Sequence, residues 1–105
     1  MFFGSHFQEF FAQQDDTMKE KMVWTFQLIE EIDRVPETYL KHLTGTPGLY
    51  EIRVQHGNDV VRIFCFFASG STLVILNAFR KTTRKTPRKE LNRAHLIKHL
   101  YETLN

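Results

Sequence analysis

Residues 49–79 read LYEIRVQHGNDVVRIFCFFASGSTLVILNAF, and their patterning decides the fold. Segments 49–55, 60–67 and 72–79 are rich in valine, isoleucine and phenylalanine, which suit a pleated, half-buried surface. Between them lie His56-Gly57-Asn58-Asp59 and Ala68-Ser69-Gly70-Ser71, both tight-turn sequences. Consecutive strands joined this way pair antiparallel. If the first hairpin turns about Gly57-Asn58, Arg53 faces Arg62 across the strands. If the second turns about Ser69-Gly70, Asn77 falls beside Arg62 on the same face.

Upstream, the apolar period lengthens to that of a helix. Residues 5–14 form a short helix with Phe7, Phe10 and Phe11 on one side. A longer helix starts near Asp16 or Thr17, where Thr17 and Glu20 match a capping box. Met18, Met22, Phe26, Ile29 and Asp33 recur at spacings of three to four, and Val23, Leu28 and Ile32 widen the apolar face. Pro36 is expected to end this helix, because proline disfavours helical geometry at the preceding residue. A further helical turn is expected over residues 37–42, before a loop marked by Gly45 and Pro47-Gly48. After the strands, Thr86-Pro87 opens a final helix with threonine as cap and proline at the first helical position. Leu91, Ala94 (or His95), Leu100 and Leu104 are expected on its inner side. The predicted class is α+β: N-terminal helices on a small antiparallel sheet, followed by a C-terminal helix.

Of the 105 residues, 42% are hydrophobic and 25% charged, which excludes a disordered tail, a collagen-like fibre and a coiled-coil rod. That length predicts a single domain over residues 1–105. No run approaches the roughly 18 apolar residues of a membrane helix. Met1-Phe2-Phe3-Gly4 lacks the basic segment of a secretory leader, so no signal peptide is expected. The lone cysteine, Cys65, cannot close an internal disulfide and alternates with phenylalanines, so it reads as a core residue of a cytoplasmic protein.

The net charge of +2 conceals an asymmetry. Through Ile52 the chain carries nine acids and four bases, net −5, and from Arg53 onward three acids and ten bases, net +7. Arg80, Lys81, Arg84, Lys85, Arg88, Lys89 and Arg93 crowd into one short stretch that holds the single acid Glu90. Such a cluster either forms a solvated face or meets a polyanion, phosphate backbone being the usual one. Like charges facing each other across strands are destabilising, so Arg53 opposite Arg62 in the most apolar stretch needs a reason. Two guanidiniums and the Asn77 amide on one face suit a multiply charged anion. The competing explanation is that Glu51, two residues from Arg53, neutralises one arginine in a structural pair. An outward-facing Arg62 is expected to contribute little to the core. His95 and His99 lie four apart without the glutamate of a metalloprotease helix, so no metal and no cofactor is expected. His56 reads as a turn residue that sits near the arginines.

Three stretches carry a resemblance: Leu49-Tyr50-Glu51-Ile52-Arg53, Arg62-Ile63-Phe64, and Phe79-Arg80-Lys81-Thr82-Thr83-Arg84-Lys85-Thr86-Pro87 continuing to Glu90 and Ala94. Together they resemble the RelE/HigB superfamily, the toxin half of type II toxin–antitoxin pairs, and within it the phage-derived HigB-like branch. The resemblance implies a RelE-like fold and a ribosome-dependent endonuclease that cuts messenger RNA in the cytoplasm. It implies metal-free cleavage, in which the ribose 2′-hydroxyl attacks the adjacent phosphate and leaves a cyclic phosphate. Carried onto this chain, Arg53 and Arg62 hold the scissile phosphate and Arg80 and Lys81 complete the transition-state clamp. Arg84, Lys85, Arg88 and Lys89 grip flanking RNA. The implied partners are the ribosome, its message and a cognate helix-turn-helix antitoxin, with no membrane involved. The family usually opens with a strand; here it is reduced to residues 1–3 or lost, which leaves a sheet edge for a partner. Tyr101 is a terminal-helix candidate for an acid or base. Two alternatives remain at this level, a ParE-like inhibitor of DNA gyrase and a non-catalytic nucleic-acid-binding module.

Overall fold

The computed structural model describes residues 4–69, 72–82 and 84–104. Helix α1 (His6–Ala12) and helix α2 (Asp16–Glu31) precede strands β1 (Leu40–His42), β2 (Tyr50–His56), β3 (Asp59–Ala68) and β4 (Thr72–Arg80), and helix α3 (Arg88–Leu104) follows. The strands form one antiparallel sheet in the order β1-β2-β3-β4. The class is α+β, with two helices on one face and α3 on the other. Residues 1–3, where the opening strand of the family is expected to be reduced if not lost, and Gly70 and Ser71 lie outside the described residues.

Alternation along the strands splits the core in two. Ile52, Val54, Val61, Ile63, Cys65, Ile75 and Ala78 face α1 and α2, where they pack with Phe7, Met18, Met22 and Ile29. Leu49, Phe64, Phe66, Val74, Leu76 and Phe79 face α3 and meet Ala94. Cys65 is fully buried, and burial pushes its thiol pKa far up, so the thiol stays protonated.

Several local expectations change. The cap of α2 is Asp15, whose Oδ1 accepts a hydrogen bond from the Met18 amide at 2.8 Å, so Thr17 already lies inside the helix. The helix stops at Glu31, short of Pro36, because Ile32 is already extended. Leaving there lets Val35 and Leu40 pack against the helix-side core. Val23 and Ile32 are exposed, so the buried stripe of α2 is Met18, Met22, Thr25 and Ile29. Residues 37–42 are not a continuing helical turn. Residues 37–39 turn, with the Tyr39 and Leu40 amides both donating to the Pro36 carbonyl, and β1 then pairs with β2 through Lys41↔Glu51.

Helix α3 begins at Arg88 and Pro87 precedes it, its carbonyl accepting the Leu91 amide. The inner side of α3 runs through Leu91, Ala94, Ile97 and Tyr101, whereas Leu100 and Leu104 are exposed. Spacings of three and four keep Leu91, Ala94, Ile97 and Tyr101 on one stripe, and the six-residue step from Ala94 to Leu100 leaves it. His95 is exposed as well.

These placements separate residues that look alike in sequence. Met22→Ala should cost about 2–5 kcal/mol, as other deletions in a close-packed core do. Leu104→Ala should stay within about 0.5 kcal/mol. Urea unfolding of the two variants measures the difference.

Candidate phosphate-binding cleft

The first hairpin has the predicted register: Arg53 pairs with Arg62, and Gly57 supplies the positive φ of 60° that the turn requires. Both arginines, with Glu51, project to the α3 side, since they alternate with the residues that face α1 and α2. The residue directly across from Arg62 on β4 is Phe79, not Asn77. Ala68 pairs with Thr72, already one residue off a turn about Ser69-Gly70, and a one-residue bulge in β4 opposite Phe64 and Cys65 adds a second shift, so that Asn77 meets Phe64. The Asn77 amide is committed elsewhere. Its Nδ2 donates to the Glu90 carbonyl at 3.0 Å and to Glu90 Oε1 at 3.3 Å, which fastens the first turn of α3 to the sheet.

Arg62 is buried, contrary to its expected outward position. Its Nε donates to Glu51 Oε1 at 2.8 Å, and the two side chains are 9% and 7% exposed. The structural pair expected as an alternative therefore exists, and it leaves Arg62 half used. Nη1 of Arg62 is buried and has no hydrogen-bond partner. A charge-bearing donor left unpaired in a low-dielectric setting is costly unless an anion can reach it.

Arg62 lines a cleft of about 420 Å³. Strands β2 and β3 bring Glu51, Arg53 and Arg62 to it, and Lys41 joins them from β1. Lys81 enters just past β4, where its amide donates to the Val60 carbonyl at 2.8 Å. Arg84 follows from the loop before α3. The loop after β1 adds Thr44 and Thr46 and is braced by Thr46 Oγ1, which donates to the Leu43 carbonyl at 2.7 Å. Five cationic side chains thus meet two carboxylates, Glu37 and Glu51. Partial desolvation, joined by the repulsion of Arg53, Arg62 and Arg84, holds the Lys81 pKa below the ordinary lysine value, and Glu51 offsets part of this.

The remaining candidates are placed elsewhere. Arg80 pairs with Val61, on the α1 and α2 side of the sheet. Its Nη2 donates to Gln14 Oε1 at 2.6 Å and its Nη1 lies 3.4 Å from Asp59 Oδ1, so it does not reach the cleft. Lys85, Arg88 and Lys89 are exposed on the loop and first turn of α3, beside the cleft but not lining it. His56 is exposed and alternates to the α1 and α2 side. Tyr101 packs edge-on against Phe66, ring centroids 5.4 Å apart, away from Arg62. His95 and His99 are exposed, and no cluster of three metal-ligating side chains occurs among the described residues.

The sequence reading missed Lys41 and His42, both of which line the cleft. Their signal was hidden because residues 40–42 are too short a run to show strand alternation.

The chain belongs to the phage-derived Gp49-like protein family (DUF891), which matches residues 9–98. That family is RelE/HigB-like in general, in keeping with a toxin of a toxin–antitoxin pair. No curated protein matches the chain. No helix among the described residues is long and apolar enough to cross a membrane.

The Glu51–Arg62 pair makes a stability prediction. Arg62→Ala should destabilise by about 3–5 kcal/mol, because it strands a buried carboxylate. Replacing both partners, Glu51→Leu with Arg62→Met, should recover most of that loss. Guanidinium unfolding of the two variants tests this; equal losses would show that the pair is not the cause.

Proposed function

We propose that this chain is the toxin of a type II toxin–antitoxin pair and an endoribonuclease that cuts messenger RNA on the ribosome, in the cytoplasm. What carries the reading is the buried Arg62 guanidinium with an unpartnered Nη1, on a residue that lines a cleft shared with Arg53, Lys81 and Arg84. Phosphodiester cleavage by a neighbouring 2′-hydroxyl needs little more than this. Negative charge builds on the phosphoryl oxygens as the 2′-oxygen attacks, and preorganised cations stabilise it.

Arg62, fixed by Glu51, and Arg53 across from it hold the non-bridging oxygens of the scissile phosphate. Lys81 is the proton acceptor for the 2′-hydroxyl, which its lowered pKa and its place beside both arginines support. The 2′-oxygen bonds to phosphorus, the bond to the 5′-oxygen breaks, and that oxygen takes a proton from solvent water. The products are a 2′,3′-cyclic phosphate and a 5′-hydroxyl. Arg84, Lys85, Arg88 and Lys89 hold flanking RNA through phosphate contacts. Arg80 ties β4 to the residues after α1 through Gln14 and to β3 through Asp59, and takes no part in the clamp. The cognate helix-turn-helix antitoxin silences the toxin by laying an acidic segment over the cleft.

Lys81 sets the pH dependence. A lysine must be neutral to accept a proton, so kcat/KM should rise with pH through the free-enzyme pKa of Lys81, below the ordinary lysine range. Lys81→Arg keeps the charge but accepts no proton. It should lose that rising limb and about 10²-fold or more in rate. A defined message in a reconstituted translation system, with the new ends mapped, is the assay. Arg53→Ala should be similarly impaired while remaining folded. An intact message together with inhibited gyrase supercoiling would select the ParE-like function instead.

A further inference from the structure

Strand β1 ends early, and this opens a second groove beside the first. Its last pairing toward the hairpin is Leu40 with Ile52, and beyond it the Arg53 amide donates to the Tyr39 carbonyl at 2.9 Å. From Arg53 onward β2 is the edge of the sheet, and a groove of about 650 Å³ crosses that edge toward α2. Arg53 lines both this groove and the phosphate cleft, so the two meet at its side.

The groove's chemistry differs from that of the cleft. Tyr39 forms one wall and Lys21 stands on α2, while Thr38 and Gln55 add a hydroxyl and an amide. Trp24 braces Tyr39 edge-on, ring centroids 5.8 Å apart, and the Lys21 ammonium sits 5.1 Å over the Trp24 ring. Trp24 is 46% exposed although it is the largest apolar side chain in the protein. An aromatic wall between two cations, with hydrogen-bonding side chains at hand, suits a flat ring attached to a phosphate.

We propose that the groove between α2 and the edge of β2 binds a nucleotide of single-stranded RNA next to the phosphate held in the cleft. The base stacks on Tyr39, and Lys21 and Arg53 flank its phosphates. The inference rests on the RNA-cleaving reading and adds to it a place where a base, rather than backbone charge alone, is recognised. Thr38 and Gln55 are the side chains that can read that base.

Trp24 is the only tryptophan of the chain and touches Tyr39, so its fluorescence reports on the groove. The test titrates the full chain with a six-nucleotide 2′-O-methyl RNA, which cannot be cut, and with an abasic ribose-phosphate strand of equal charge. Fluorescence anisotropy of end-labelled strands measures binding independently. The expected result is quenching of Trp24 by the RNA and at least about fivefold weaker binding of the abasic strand. Tyr39→Ala should erase that difference and Tyr39→Phe should preserve it, since stacking needs the ring and not the hydroxyl. Lys21→Glu, an exchange on the surface of α2, should weaken RNA binding even if Tyr39→Ala proves unstable. Equal binding of both strands with Trp24 unchanged would overturn the groove and leave the cleft standing. Failure of both strands to bind would overturn the RNA-cleaving reading, and the groove with it.

Discussion

The ion pair between Glu51 and Arg62 is the interaction around which the rest is arranged. Two ionised side chains at 2.8 Å, each under a tenth exposed, gain strongly from each other but lose their hydration. One carboxylate satisfies Nε of the guanidinium and leaves Nη1 without a partner. The pair therefore does two jobs with one arrangement. It fixes the guanidinium in place, and it leaves one donor unspent on a residue that lines the cleft where other cations converge. A guanidinium held this way pays no reorganisation penalty when an anion arrives.

The sheet makes this possible. Hairpin register puts Arg53 opposite Arg62, a pairing that would be unfavourable if both were free. Glu51 relieves it by pairing with Arg62. The bulge in β4 sets Asn77 opposite Phe64, on the α3 side, where its amide binds Glu90 and seats the start of α3 beside the cleft. The basic loop that follows Lys81 is thereby anchored at both ends, at Val60 by the Lys81 amide and at Asn77 through Glu90. Charge is concentrated on the α3 side of the sheet, while Arg80, the one strand cation that points the other way, is consumed by Gln14 and Asp59.

Much of this was legible from the residues, and what was not has physical causes. Strand alternation and the Gly57-Asn58 turn give the first hairpin its register, because a two-residue turn leaves little freedom. The second hairpin misleads twice: Ala68 pairs with Thr72, one residue off the expected register, and a bulge adds one more without any glycine or proline to announce it. Glu51 was legible as a partner for one of the arginines, but residue type alone does not show that the partner is Arg62 or that the pair is buried. Strand β1 was read as helix because three residues carry no period, and with it went Lys41 and His42. In α3, four leucines and several charges fit more than one stripe, and only packing against Phe64 and Phe66 selects the one through Ala94.

The most direct measurement concerns the guanidinium groups themselves. Side-chain spectra of the chain labelled with nitrogen-15 arginine, recorded during titration with inorganic phosphate, separate the two sides of the sheet. Phosphate bound in the cleft should move the Arg62 and Arg53 resonances together and leave that of Arg80 where it is. Movement of Arg80 with Arg62 still would contradict the assignment of the cleft as the anion site.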